Sequence, residues 1–175
     1  MIKRFAILDG NNIVINVTKA EEDYGLSIGW ILSDTANIGE MYDPETKTFT
    51  APPPSPVTSN DVNTERDRRI DAGFTFEGKL YQSGPSDREN IAGIGTFALA
   101  AISNGAQVGD LRWKDSTKDF GWIASDNTIT PMDAQTAWAF SQAGAAYKEK
   151  LIFMARNLKN MDPIHLDYAD DKYWT

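Results

Sequence analysis

Hydrophobic and polar positions alternate over the first fifty residues and then change period. Residues 2–8 and 13–18 are rich in Ile, Val and Phe, and Asp9-Gly10-Asn11-Asn12 lies between them. These turn residues tolerate left-handed backbone, so the pattern predicts a hairpin. Gly29-Trp30-Ile31-Leu32 reads as a third strand. Met41-Tyr42 and Thr48-Phe49 flank Asp43-Pro44-Glu45-Thr46-Lys47 as a second hairpin. A module this small has too little core to be stable alone, which predicts that it leans on a partner or a second copy. Ala51-Pro52-Pro53-Pro54-Ser55-Pro56 follows. Its fixed φ angles and missing N–H donors predict an extended polyproline spacer.

Beyond the spacer the period becomes helical. Ser59 or Asn60 is placed to cap a helix through Ala72, and Gly73 to stop it. Phe74 to Tyr81 alternates around Glu77-Gly78, a hairpin with Phe74, Phe76 and Tyr81 on one side. Ser86-Asp87-Arg88-Glu89 has the form of a capping box behind Pro85, opening a helix to about Ser103. That helix is full of small residues, including Gly93 and Gly95. An interior glycine costs about 1 kcal/mol against alanine, and close approach of a neighbouring backbone is the usual offset. Leu111-Arg112-Trp113, Phe120-Gly121-Trp122-Ile123 and 127–130 read as a three-stranded meander. Asp133 caps a long helix from Ala134 to about Asn160. On its second half Tyr147, Leu151, Met154, Leu158 and Met161 recur at spacings of four and three. Such a seam packs either on the Ala/Gly helix of the same chain or on another polypeptide, and its length does not distinguish the two. The whole pattern predicts an α+β chain. It has a small N-terminal antiparallel β module at 1–50, a Pro-rich linker at 51–58, and a larger part at 59–175 with three helices and two short β-hairpins.

Composition narrows the chemistry. No cysteine is present, so a disulfide framework, a thiolate metal site and a cysteine nucleophile are excluded. His165 is the one histidine, and no G-x-S-x-G elbow accompanies it. The net charge of −8 argues against binding a phosphate backbone, so no nucleic-acid partner is expected. No apolar run is long enough for a membrane span, and the start of the chain lacks a signal-peptide pattern. Gly93-Ile94-Gly95-Thr96-Phe97-Ala98 matches a dinucleotide-binding string. It falls inside a predicted helix, where its N–H groups are already bonded, so no cofactor is assigned to it. Asp167, Asp170 and Asp171 lack the spacing of a calcium loop, and no metal site is assigned. No pair of carboxylates is singled out for glycoside cleavage, and no catalytic residue is assigned. The five tryptophans are read mostly as core, with Trp113 and Trp122 as candidates for stacking on sugar rings.

The segment from Glu65 to Gln82, with Ser86-Asp87-Arg88-Glu89-Asn90-Ile91, Leu111-Arg112-Trp113 and Asp133-Ala134, resembles an uncharacterised domain of bacteriophage and prophage tail proteins. The resemblance covers most of residues 60–160. Ile38-Gly39, Met41-Tyr42-Asp43, Phe49 and the proline-rich exit look like the front end of tail-fibre-associated chains. The resemblance implies a virion tail component, made in the host bacterial cytoplasm, that binds tail-fibre or baseplate proteins. It would be a fibre subunit, an adaptor or a fibre-assembly chaperone, and a homo-oligomer. It carries no catalytic residues. The expected contact residues are Tyr147, Leu151, Met154 and Leu158 on the seam and Tyr173 and Trp174 on the tail. A receptor-binding tip recognising host glycan is the alternative, and a polysaccharide-degrading enzyme ranks last.

Overall fold

The computed structural model describes residues 1–52 and 54–175. The chain is α+β and divides into two compact units, Met1–Ser55 and Pro56–Thr175. The expected polyproline spacer includes Pro53 and so lies in part outside the described residues.

In the first unit β1 (Ile2–Leu8) pairs antiparallel with β2 (Val14–Glu21) and on its other edge with β3 (Ile31–Leu32). The β1–β2 turn is set locally. Asp9 Oδ1 accepts the amides of Asn11 and Ile13 at 2.8 and 2.9 Å, and Asn12 takes a φ of 62°. Ala6, Val14 and Ala36 form a small core on one face of the sheet, with Val17, Ile31 and Phe49 packed around them. Phe49 comes from a hairpin of β4 (Met41–Asp43) and β5 (Thr48–Thr50). Sequence periodicity did not predict the short helix α1 (Glu22–Ser27). It covers the opposite face, where Gly25 sits on the Phe5 ring so closely that a Cβ there would lie 2.5 Å from Phe5 Cζ.

The second unit opens with α2 (Ser59–Asp71). Its N-cap is Thr58, one residue before the predicted cap. The Thr58 hydroxyl accepts the Asp61 amide while Asp61 Oδ2 accepts the Thr58 amide at 2.8 Å. Gly73 ends the helix at φ 104° and leads into the hairpin of β6 (Phe74–Phe76) and β7 (Lys79–Tyr81). Next comes α3 (Pro85–Ser103). The predicted Ser86–Glu89 box does not form. Gly84 is the N-cap, with Pro85 at the first helical position, and Asp87 Oδ2 accepts the Gly84 amide at 3.0 Å. Proline's fixed φ starts the helix two residues earlier than a Ser86 cap would.

The predicted three-stranded meander is a two-stranded hairpin of β8 (Gly121–Ile123) and β9 (Ile129–Pro131). Leu111-Arg112-Trp113 is not a strand. Asp110 Oδ1 takes the Arg112 amide at 2.8 Å, and such a local bond competes with sheet pairing. Trp113 is fixed instead by its indole N–H, which donates to the Met132 carbonyl at 3.0 Å. The last helix, α4 (Ala134–Lys159), is capped by Asp133, whose two carboxylate oxygens accept the amides of Thr136 and Gly109, each at 2.7 Å. Burial pushes the Asp133 pKa up. These two amides and the Thr136 hydroxyl outweigh it, and the net direction is down.

Helices α3 and α4 run antiparallel. Gly95 faces Ser141, whereas four residues earlier Ile91 lies beside Gly144. Their contact closes over a core of Phe74, Tyr81, Ile91, Ile94, Met132 and Phe140. The two glycines of α3 differ in purpose. A Cβ on Gly95 would lie 2.2 Å from Ser141 Oγ and 2.6 Å from Ser141 Cβ, whereas one on Gly93 would meet nothing within 4 Å. Gly95→Ala is therefore expected to destabilise the second unit by about 1–3 kcal/mol through overpacking. Gly93→Ala should stabilise it by about 1 kcal/mol through helix propensity. Urea midpoints of the two variants moving in the same direction would remove the close approach as the reason for Gly95.

Candidate functional site

All six residues expected to contact a partner gather in one place, and that place is internal to the second unit. Leu151, Leu158 and Trp174 are buried with Val62 and Ile70 of α2, and Tyr147, Met154 and Tyr173 are half-buried around them. The seam of α4 thus packs on α2 of its own chain. It does not pack, as one expectation had it, on the Ala/Gly helix α3, which lies against the earlier part of α4. Seam and tail are core here rather than free surface.

The tail is fastened by one arginine. Arg69 donates from Nε to Glu65 at 2.7 Å and from Nη2 to the Ala169 carbonyl at 2.7 Å, and pairs with Asp171 at 2.8 Å. Its guanidinium lies 5.1 Å from the Trp174 ring centre. The Trp174 indole N–H donates to the Tyr168 carbonyl at 2.8 Å. Glu65 is nearly buried. The hydrogen bonds from Arg68, then those from Arg69, hold its carboxyl below the usual glutamate range against the opposing effect of burial. A carboxylate with a depressed pKa contributes stability above its unfolded pKa and loses it as pH falls through the folded value. Glu65→Gln is expected to destabilise by about 2 kcal/mol at pH 7, as for hydrogen bonds to a charged group. That deficit should shrink as pH drops below about 4.3, where unfolded glutamate protonates. Urea melts of both proteins from pH 7 to pH 3 check this, and a constant gap would refute it.

The remaining sequence candidates lie as follows. Gly93, Gly95 and Ala98 sit in the middle of α3. His165 is exposed and stacks on Tyr173 at 5.9 Å. Asp167 accepts from Lys172 and from the Tyr173 hydroxyl, and Asp171 is held by Arg69. Among the described residues no three acidic or histidine side chains are grouped to hold a metal ion. No helix among them is long and apolar enough to cross a membrane. Trp113 packs on Phe120 and Trp122 on Phe140, both half-buried.

Sequence reasoning missed a groove of about 390 Å³ along the α3–α4 contact. Ala92, Thr96 and Leu99 form one bank, at spacings of four and three, and Ser141, Ala145 and Lys148 form the other with the same spacings. Residues so spaced share a helix face. Because the helices are antiparallel, Arg88 and Lys148 lie together at one end, and Leu99 and Trp138 at the other. Leu99 is 51% exposed. The available signal was the run of small residues on α3. That run signals a close approach, which Gly95 makes, while the outward small residues beside it leave the groove unfilled.

This geometry defines an α+β protein whose second unit presents an open, mostly apolar helix-pair groove. Residues 56–172 match the family described as a domain of unknown function (DUF4376), and the chain belongs to that family. No curated protein and no solved structure matches the chain.

Proposed function

We propose that this chain is a non-enzymatic bacteriophage tail protein that binds other tail proteins at the fibre or baseplate, as a subunit, an adaptor or a fibre-assembly chaperone. The observation that carries the binding role is the α3–α4 groove, which leaves Leu99, Ala92 and Ala145 facing solvent between two helices. The resemblance over residues 60–160 supplies the tail setting. Self-association is supported by the first unit, where Ile2, Ile15, Tyr24, Leu26, Leu32 and Ile38 are all exposed. On this reading the protein is made in the host cytoplasm and acts at the virion tail.

The test is retention of the purified tail-fibre and baseplate proteins of the encoding phage or prophage on the immobilised full chain. At least one should be retained by the wild type, and retention should fall by about tenfold for Leu99→Asp, as for loss of an interface anchor. If no fibre or baseplate protein is retained, the proposal fails. Mass spectrometry of purified virions then separates a resident subunit from a departing chaperone.

A further inference from the structure

The two ends of the groove differ in chemistry, and the difference selects an occupant. In a chain of net charge −8, both charged residues that line the groove are cations, Arg88 and Lys148. Arg88 is already fixed in position, because its Nη1 donates to Asp71 Oδ1 at 2.6 Å and to the Ser83 carbonyl. Its Nε and Nη2 donate to no group among the described residues, and Lys148 forms no ion pair among them. Leu99 and Trp138 lie farthest from Arg88, with the apolar Ala92 and Ala145 and the polar side chains of Thr96, Ser141 and Gln142 between the two ends. From Arg88 to Leu99 along α3 is about 16 Å at the helical rise. An extended peptide of about five residues spans that length.

We infer that the α3–α4 groove takes a short apolar stretch of a partner polypeptide that ends in a carboxylate, with the carboxylate at Arg88 and Lys148 and the apolar side chains toward Leu99 and Trp138. Arg88 and Asp71 together are neutral, so Lys148 carries the net positive charge of that end, attracting an acidic segment and repelling a basic one, while Arg88 offers its free N–H donors. The fork of Arg88 suits a planar carboxylate, and the prior bond to Asp71 removes the entropy of ordering it. A neutral apolar segment would gain nothing from that end. The inference rests on the protein-binding role proposed above and adds the chemistry of the segment bound.

The full chain, labelled with ¹⁵N, is titrated with an N-acetylated pentapeptide of leucine and serine bearing a free carboxyl end, and separately with its carboxamide twin. The free acid should shift the amide signals of Ala92, Gly95, Thr96 and Ala145. It should bind about fivefold more tightly than the amide, the size of a partly exposed ion pair. Lys148→Glu should abolish that preference while leaving the circular dichroism of the helices unchanged. Leu99→Asp should weaken both peptides. Equal affinities, shifts centred on other residues, no binding, or a preference that survives Lys148→Glu would each overturn the inference. If the peptides fail while fibre or baseplate proteins are still retained through Leu99, only the carboxylate chemistry falls. If no tail protein is retained either, the tail role falls with it.

Discussion

Replacing Phe140 with alanine is expected to destabilise the second unit by about 4 kcal/mol, the upper range for emptying a buried aromatic site. Phe140 is 0% exposed and is the hub of an aromatic cluster. Its ring centre lies 4.8 Å from that of Tyr81, 5.2 Å from those of Phe74 and Trp122, and 5.6 Å from that of Phe76. Those neighbours come from the β6–β7 hairpin and from β8, so the one side chain joins both hairpins to α4. They are anchored by their own strands and cannot collapse into the void. Phe140→Leu keeps most of the volume and should cost about 1.5 kcal/mol or less. Urea unfolding followed by near-ultraviolet circular dichroism measures both. A loss below about 1.5 kcal/mol for Phe140→Ala would mean that the site closes up, contrary to a fixed aromatic hub.

The second large effect is expected at Gly73. Its φ of 104° disfavours any side chain, and a Cβ would lie 2.4 Å from the Tyr81 carbonyl oxygen. That oxygen belongs to backbone paired with Phe74, so it cannot rotate away as a side chain would. Gly73→Ala should therefore cost about 3 kcal/mol, combining left-handed strain with a backbone clash. Gly78 provides the control. Its φ of 78° is also positive, but a Cβ there meets nothing within 4 Å. Gly78→Ala should cost only about 1 kcal/mol, the conformational part alone. Equal losses at the two positions in urea melts would show that the Tyr81 carbonyl yields to the added methyl group.

Much of the fold was legible residue by residue. Gly73 as a helix stop, Glu77-Gly78 as a hairpin turn and Asp133 as the cap of α4 all follow from preferences that act within a few residues. The misreadings were also local. Thr58 outcompetes Ser59 because its partner Asp61 is spaced to return the hydrogen bond. Pro85 moves the start of α3 ahead of Ser86. The six residues of α1 are too few to show a period. What the candidate site required was not local. A heptad-like spacing marks a buried stripe on α4 without naming what buries it, and α2 with the tail turned out to supply Val62, Ile70 and Trp174.

The sequence by itself determined the α+β class, the order of the main elements and the apolar stripe of α4. Those features depend on backbone dihedral preference, capping and the period of side chains along one element. Only the tertiary structure decided that the α4 seam faces inward, and that α3 and α4 meet through Gly95 and Ser141 with Arg88 and Lys148 side by side at one end of an open groove. That pairing depends on which surfaces fit when distant segments pack, and no spacing within a single segment encodes it.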